Sequence, residues 1–431
     1  MRRNRSIFTI GVLLILSFQV DRAVSESEFE WTGHLRASGL AEYYNDDHLL
    51  AIEHDDQQFL NGGLDGRLNG SVFVDDRLSF HLAYEAVLNG GQTRAAIADV
   101  TKKYHGSGQV LDIQSNVPSD EQQFFSLTKI ISETDTYVLY HRLDRLFLAY
   151  DSDLAHVNIG RQALTWGNGL LFNPADLINP FAPSDIIRDY KLGSDMILYQ
   201  RGFNLVQDLQ AVLVPRRDED GNLSSEESTL GMKGRFSARG TDVNLYMLKD
   251  YQDPVLGAGV VFYAGDGVVR TDLTWTYLED DPERDAFFSG VVNYDYSWSW
   301  MDKNWYGFLE FYYNGLGSSN VFDVLENEAL LERLRRGEMF VTGRYYVAGL
   351  LQYEAHPLVN MFSTVIYNLE DNSFLFQPRL SWDLTSAAQL IFGANIPVGS
   401  TNTEFGDMVD PETGLVSGNS LQLYLLITCY F

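Results

Sequence analysis

The sequence has a single cysteine, Cys429, among 431 residues. No intramolecular disulfide can form, which excludes the small disulfide-stapled folds common among exported proteins. Basic residues are also scarce, because 31 Lys and Arg stand against 59 Asp and Glu, for a formal net charge of −28. A chain this acidic is not expected to bind nucleic acid, since phosphate contacts require clustered positive charge.

Long hydrophobic runs are missing once the N-terminus is set aside. The chain begins with three arginines in its first five residues, an apolar stretch over 7–18 and a small-residue cleavage site at 23–25. These features predict a secretory signal peptide over residues 1–25. The leader carries four Arg and one Asp, so subtracting its +3 from −28 leaves a mature charge of −31. After it, no apolar run approaches the ~18 residues of a membrane helix.

After the N-terminal segment, runs of strictly alternating apolar and polar residues recur along the chain. One run sets Leu230, Met232, Phe236 and Ala238 against Lys233, Arg235, Ser237 and Arg239. The 24 Tyr, 26 Phe and 7 Trp also supply rings for the ends of such runs. Lipid leaves no backbone group unpaired, so this pattern predicts an all-β fold over residues 26–431, a transmembrane antiparallel up-and-down β-barrel. A soluble β-protein also alternates and is the alternative.

The links between the runs predict the number of strands. Short turns such as 151–153 and 301–304 alternate with longer links such as 316–338 and 398–417. The alternation fails only at 196–215, unless that stretch is a hairpin that turns near 204–208. With the hairpin the count is about 18 strands, and 16 is the alternative, because bacterial barrels have even counts. Both chain ends then lie at the short-turn side, which faces the periplasm in such barrels.

The segment from Gly160 to Asp195 is the one on which the functional prediction depends. It begins as a strand, breaks at Gly167 and Gly169, and continues with prolines that bar regular ladder pairing. Its apolar residues need a surface to pack on, so we expect an inward-folded loop that narrows the barrel; an Ω-loop on the outer surface is the alternative. The predicted constriction residues are Asn173, Pro174, Asp176, Asn179, Pro180, Asp185 and Arg188.

Charged side chains at alternate positions are expected to line the lumen. The predicted pore-lining and selectivity residues are Arg161, Lys233, Arg235, Arg270, Arg344, Arg379, Asp272 and Glu310. Arginines around a channel favour anions. The alternative is an internal ladder of Arg–carboxylate pairs that only satisfies buried charge. Four tyrosines are also expected inside, as a stacking track for sugar rings or as filler: Tyr246, Tyr306, Tyr312 and Tyr346.

Two long links show helical spacing of apolar residues. Residues 320–336 carry Val321, Val324, Leu331 and Leu334 at such intervals, and 93–103 is a weaker case. A helix packed over the barrel mouth and a lid or docking site both remain open for 320–336.

Two stretches resemble known proteins. The last strand ends in Phe431 behind alternating apolar residues, and is similar to the terminal signature by which outer-membrane proteins are recognised for insertion. Gly160-Arg161-Gln162, followed by Leu164 and Trp166-Gly167-Asn168, resembles porin-like barrels of the alginate-export type over about forty residues. The resemblance implies an 18-stranded barrel that passes an anionic polysaccharide through an arginine-rich lumen. Past Gly169 the proline-spaced segment departs from that pattern.

Enzymatic motifs and metal sites are not evident. Gly-x-Ser-x-Gly is absent and the eight histidines lack metal-ligand spacing. His141, Asp144 and His156 could approach a serine, but parity puts His141 and Asp144 on opposite strand faces. An outer-membrane hydrolase is therefore only an alternative, and we expect neither enzymatic activity nor a cofactor or metal. Acidic links such as 218–220 and 279–281 lack defined calcium-loop spacing and are expected to be solvated.

The sequence thus predicts an outer-membrane channel of a Gram-negative bacterium for small hydrophilic or anionic solutes, including anionic saccharides. A polysaccharide export pore is the alternative. The expected partners are outer-membrane lipid and lipopolysaccharide, the barrel-assembly machinery, and a small-molecule or saccharide solute.

Overall fold

The structure of the chain is a computed structural model that describes residues 28–104, 117–180, 190–204, 207–279, 281, 284–411 and 414–431. The predicted signal peptide over 1–25 lies outside the described residues and stays a prediction. No helix in the described ranges is long and apolar enough to cross a membrane.

Twenty-one strands and four helices make up the described chain. The strands are β1 (Glu28–Tyr43), β2 (Gln58–Phe73), β3 (Leu78–Gly91), β4 (Thr128–Glu133), β5 (Tyr137–Asp151), β6 (His156–Gln162), β7 (Ser194–Asn204), β8 (Gln207–Arg217), β9 (Leu223–Ala238), β10 (Thr241–Asp250), β11 (Asp253–Ala264), β12 (Gly267–Tyr277), β13 (Ala286–Trp300), β14 (Lys303–Asn314), β15 (Tyr345–His356), β16 (Val359–Asn368), β17 (Phe374–Thr385), β18 (Ala388–Val398), β19 (Asp407–Val409), β20 (Val416–Gly418) and β21 (Leu421–Tyr430). The helices are α1 (Leu49–His54), α2 (Gln92–Tyr104), α3 (Val321–Val324) and α4 (Glu328–Arg335).

Eighteen of the strands form one closed antiparallel barrel; β4, β19 and β20 stand outside this count. The last strand closes it by pairing with β1 from His34↔Tyr430 to Tyr43↔Leu421. Phe431 extends this pairing, because its backbone N–H donates to Gly33 O at 3.0 Å and its carbonyl accepts from Gly33 N at 2.9 Å. The predicted count of 18 is confirmed, and 16 is wrong.

The hairpin that was needed for short turns and longer links to alternate throughout the chain is present. β7 and β8 pair antiparallel up to Asn204↔Gln207, inside the predicted turn region. Short turns therefore collect at one end of the barrel, the short-turn end, and longer links at the other, the long-loop end. Both predicted helical links are helical, since α3 and α4 fall within 320–336 and α2 covers 93–103.

The outer face of the barrel is apolar. Leu230, Leu245 and Leu309 point outward, with 57%, 51% and 62% of their surface exposed. At the short-turn end, Trp305 lies between Trp298 and Tyr353, with ring centroids 6.1 and 4.5 Å away. Exposed aliphatic side chains over the middle and aromatic rings near one end are typical of a barrel surrounded by lipid.

The wall near β6 and β7 is completed by a distant segment. β6 ends after seven residues at Gln162. Beyond that point β4 pairs with β5 in its place, and the backbone N–H of Arg217 in β8 donates to Gln122 O at 3.0 Å. The segment over 117–133 therefore fills the wall that β6 leaves open, which frees the chain after Gln162 to turn inward.

Candidate functional site

The chain between β6 and β7 comprises residues 163–193, and its described parts, 163–180 and 190–193, fold into the barrel. We call it the inward loop. Its ends lie side by side on the wall, because Gln162 is the register partner of Ser194. The predicted inward-folded loop is confirmed, and the Ω-loop on the outer surface is wrong.

Apolar side chains attach the first half of the loop to the inner wall. Trp166 is 2% exposed, and its indole N–H donates to Gln210 Oε1 at 2.7 Å. Further along, the Phe172 ring stacks on Tyr312 with centroids 4.5 Å apart and an interplanar angle of 9°. The buried cluster around Trp166 also contains Leu164, Ala175, Ile178, Met196, Leu198, Val212, Val214, Tyr246, Leu248 and Val255. The loop thus packs on the wall as part of a hydrophobic core.

Two wall carboxylates bind five consecutive residues of the loop backbone. Asp272 in β12 accepts from the backbone N–H groups of Asn168 and Gly169, the latter at 3.2 Å, and from the Asn168 amide at 2.8 Å. Glu310 in β14 accepts from the three following backbone N–H groups, those of residues 170, 171 and 172, at 2.8, 3.1 and 2.7 Å. Charge-assisted hydrogen bonds of this kind are stronger than neutral ones.

These contacts correct the placement predicted for Asp272 and Glu310. Both residues lie on the inner face, as expected, but neither exposes any surface to the lumen. Their carboxylate oxygens are occupied by the loop and by side chains of the wall: Tyr246 donates to Asp272 at 3.2 Å and Asn293 donates to Glu310 at 3.1 Å. They position the loop rather than line the channel, and we call them the anchor carboxylates.

A left-handed glycine allows the loop to turn toward its anchors. Gly167 has φ +87°, and a Cβ there would lie 1.9 Å from Asn173 Oδ1. Asn173 in turn donates to Trp166 O at 3.0 Å across this bend. Any side chain at position 167 would be strained and would collide with Asn173.

Gly167→Ala is therefore expected to lower the temperature at which the barrel loses its heat-modifiable gel mobility, since it combines a positive-φ penalty of about 1 kcal/mol with a steric clash. Gly39→Ala is the matched control, because a Cβ at position 39 meets no atom within 4 Å. Equal transition temperatures for the two variants would contradict the assigned bend.

Side-chain amides and ion pairs hold the returning part of the loop. Asn179 donates to Leu192 O and to Ser194 Oγ, each at 2.9 Å, and accepts from the backbone of Leu164. Lys191 pairs with Asp176, which is buried. Of the predicted constriction residues, Asn173, Pro174, Asp176, Asn179 and Pro180 lie in the inward loop, and Asp185 and Arg188 lie outside the described residues.

A charged cluster on β2, β3 and β5 faces the end of the loop, and it was not among the lumen residues predicted from the sequence. Arg67 pairs with Glu85 and, at 2.9 Å, with Asp144. Arg142 and Arg145 lie 3.2 and 2.5 Å from Asp144. Three guanidinium groups thus meet two carboxylates, for a net charge of +1. The alternation that identified the C-terminal strands would have indicated the inward faces of these strands too.

The Tyr190 ring joins this cluster from the inward loop. The Arg67 guanidinium lies 4.0 Å from the ring centroid. Burial and the neighbouring carboxylate of Glu85 raise the pKa of the Tyr190 hydroxyl well above its usual value, so the hydroxyl stays protonated.

Most of the predicted pore-lining basic residues are paired. Arg235 pairs with Asp208 at 2.5 Å, Arg270 with Asp295, and Arg344 with Glu370 at 3.3 Å. These pairs match the alternative in which the basic residues form an internal ladder of Arg–carboxylate pairs.

The placement predicted for Arg161 is corrected. Its side chain has no exposed surface and is held by Asp195 at 2.9 Å and Asp120 at 2.8 Å. The segment over 120–125 covers it, a neighbour that sequence periodicity does not reveal.

Lys233 and Arg379 differ from the other basic residues. Within the described part of the chain, neither has a carboxylate within 4 Å of its nitrogen atoms. Arg379 is exposed and lies over the Phe362 ring at 4.3 Å, and Lys233 lies 5.5 Å from the centre of Tyr246. Among the predicted pore-lining basic residues, these two are therefore the ones without an ion-pair partner in the described part of the chain, and Lys233 is partly buried.

The predicted interior tyrosines separate into two groups. Tyr246, Tyr312 and Tyr346 are at most 5% exposed beneath the loop, where they fill the interior instead of forming an open stacking track. Tyr306 is partly exposed near the short-turn end.

Two links from the long-loop end fold over the inward loop. The link carrying α3 and α4 is held by Arg333, which donates to Asp253 at 2.5 Å, and it buries Glu338 close to α4. Burial, with Asp250 nearby, raises the pKa of the Glu338 carboxyl to about 8.

The second link, residues 399–420, inserts Glu404, which accepts from Tyr346 Oη at 2.5 Å and Asn368 Nδ2 at 2.9 Å. Burial raises the pKa of the Glu404 carboxyl as well.

Catalytic and metal-binding arrangements find no geometric support in the described ranges. There, no three His, Cys, Asp or Glu side chains are grouped closely enough to hold a metal ion. Asp144 is buried in the charged cluster, whereas His141 lies on the outer face beside Tyr84, as parity predicts. His156 pairs instead with Asp151 at 2.5 Å near the short-turn end.

No protein-family model and no curated protein sequence matches this chain. Solved structures do match over nearly its whole length. The chain is similar to OccK5 (OpdH) of Pseudomonas aeruginosa, with a TM-score of 0.52 and 8% identity over 93% of this chain and 98% of the other. It is similar to OccAB1 of Acinetobacter baumannii, with a TM-score of 0.51 and 11% identity over 93% and 96%. A third is OccK2 (OpdF) of Pseudomonas aeruginosa in complex with glucuronate, with a TM-score of 0.51 and 9% identity over 94% and 98%.

At these identities the likeness concerns the fold. It supports a porin-like barrel and gives no support to the alginate-export type. The chain has the closed, 18-stranded antiparallel barrel fold of the Occ/Opd outer-membrane porins.

Proposed function

We propose that this chain is an outer-membrane channel of a Gram-negative bacterium for small hydrophilic solutes, with a preference for anions. The observation that carries the proposal is the inward loop, which occupies part of the lumen and is fixed there by the anchor carboxylates. Barrels of 16 to 18 strands enclose an aqueous channel unless something fills it. A loop in this position limits the size of the solute while leaving the wall closed.

The basic groups of the lumen support the anion preference. Arg379 and Lys233 have no carboxylate partner among the described residues, and the charged cluster has a net charge of +1. A fixed positive charge in a narrow, poorly screened passage favours anions. OccK2 in complex with glucuronate shows an organic anion bound by a barrel of this fold.

The exposed outer surface supports the proposed location and partners. The exposed aliphatic side chains on the outer face would contact lipid, and the aromatic rings at the short-turn end would lie at the membrane interface. In this orientation the short-turn end faces the periplasm and the long-loop end faces lipopolysaccharide. Phe431, 53% exposed beside Trp31, is the proposed recognition residue for the barrel-assembly machinery.

Reversal potentials in a salt gradient test the anion preference. The unmodified channel is expected to be anion-selective. Lys233→Gln with Arg379→Gln should shift its reversal potential toward the cation side, because two unpaired positive charges are lost from the lumen. Arg77→Gln is the control, since that side chain lies in a short turn and is 57% exposed. Cation selectivity of the unmodified channel would refute the anion preference and would assign control of access to the acidic links.

A further inference from the structure

A cavity of about 430 Å³ lies between the inward loop and the link that carries α3 and α4. We call it the chamber. Its floor is the loop, including Leu170 and Pro174, and its roof is the link, including Glu338 and Phe340. Thr274 and Thr276 of β12 contribute hydroxyl groups to its wall. The volume falls in the range of sites that hold one small molecule.

Apart from Glu338, the ionic groups that line the chamber already have partners. Lys191 pairs with Asp176 and Arg333 with Asp253, while Asp250 lies 3.6 Å from Arg216 across the wall. A charged ligand would have to displace one of these buried pairs, at the cost of leaving a charge without its partner. The chamber is therefore poorly suited to an anion, in contrast to the lumen beside Arg379.

Three side chains of the chamber lining carry a buried polar atom with no hydrogen-bond partner among the described residues: Asn173 Oδ1, Ser289 Oγ and Glu338 Oε1. Glu338 supplies the one carboxyl group of the three, and its side chain is 4% exposed. The nearest cations are Arg333 Nε at 3.8 Å from Oε2 and Arg336 Nη1 at 3.9 Å from Oε1, both beyond hydrogen-bond length. A buried carboxyl group without a hydrogen bond is costly, and a ligand hydroxyl would remove that cost.

Apolar side chains complete the lining. Phe340 and Leu170 line the chamber and are 38% and 37% exposed, so each keeps apolar surface that the rest of the described chain does not cover. An aromatic ring beside hydrogen-bonding groups suits a ring compound with an apolar face and polar edges.

We propose that the chamber is a binding site for a neutral, polyhydroxylated ring compound of saccharide type, whose hydroxyl groups donate to Glu338 and whose ring face covers Phe340. This site is separate from the anion preference of the lumen. The binding-site proposal requires only that the chain folds as described. It can therefore fail while the channel proposal holds, and the channel proposal can fail while the binding site holds.

A titration of the full-length chain in detergent with glucose and with maltose tests the site directly. Binding is measured by saturation-transfer NMR. Glucuronate is the charged comparison. Neutral sugars should bind saturably and more tightly than glucuronate at this site. Glu338→Met removes the carboxyl group without breaking a hydrogen bond and should weaken sugar binding by about tenfold or more. Phe340→Ala should weaken it by a similar factor through loss of the ring face.

Glu326→Met is the matched control, because it makes the same chemical change on an exposed residue of the same link. It should leave sugar binding unchanged. The proposal is overturned if glucose and maltose do not bind, or if Glu338→Met and Glu326→Met bind them equally well. It is also overturned if glucuronate competes with them at higher affinity. None of these results requires the channel to conduct ions.

Discussion

Asp272→Asn combined with Glu310→Gln is expected to release the inward loop, giving single-channel currents that are larger and noisier than those of the unmodified chain. Each carboxylate accepts through both oxygens, from the loop and from the wall. An amide in its place directs an N–H group at one of these donors. Leaving a buried donor unsatisfied costs about 1–3 kcal/mol, and every 1.4 kcal/mol changes an equilibrium about tenfold. The population of the detached loop should therefore rise by one to several orders of magnitude.

Asp295→Asn serves as the control for this double variant. Asp295 is also an inner-wall carboxylate, but it pairs with Arg270 and has no hydrogen bond to the described part of the loop. It should leave the current noise unchanged. If the double variant conducts like the unmodified chain, the two carboxylates do not determine the position of the loop.

Replacing residues 163–193 with a short Gly-Ser turn should raise the unit conductance several-fold and weaken discrimination among solutes. The replacement is geometrically simple, since Gln162 and Ser194 are already register partners on adjacent strands. Removing the loop uncovers the lumen beside β7–β15, where Trp166 and Phe172 are now packed. The barrel should stay heat-modifiable, because every wall strand is retained.

The same replacement should also lower the temperature of heat modification. Wall residues such as Val212, Val214 and Leu248 lose their apolar cover and become exposed to water. An unchanged unit conductance in a correctly folded variant would show that the loop does not limit the passage, whatever its position.

Much of the fold could be predicted from the sequence because a lipid-exposed barrel imposes a local rule. Alternation records which side of the wall each residue faces, and link lengths record the direction of each strand. The hairpin that pairs Asn204 with Gln207 could be predicted only from the alternation of short turns and longer links. The inward loop was predictable for a similar reason, since its prolines exclude it from the wall and its apolar residues require a surface.

The site was less predictable because alternation gives a face but not a neighbour. Asp272 and Glu310 lie on the inner face as expected, yet what covers them is a loop more than a hundred residues away in sequence. Arg161 is enclosed by the segment over 120–125, whose position depends on β4 completing the wall. The ion pairs of Arg235 and Arg270 likewise depend on register between strands, which periodicity does not determine.

Polymer exclusion in planar bilayers is the measurement that most directly tests a channel narrowed by its own loop. Uncharged poly(ethylene glycol) molecules of graded size lower the conductance of a channel only if they can enter it. If the inward loop narrows the channel, the unmodified chain should conduct and exclude polymers that the loop-replaced chain admits, and Asp272→Asn/Glu310→Gln should lie between the two. A single size limit shared by all three proteins, or no conductance from the unmodified chain, would contradict this prediction.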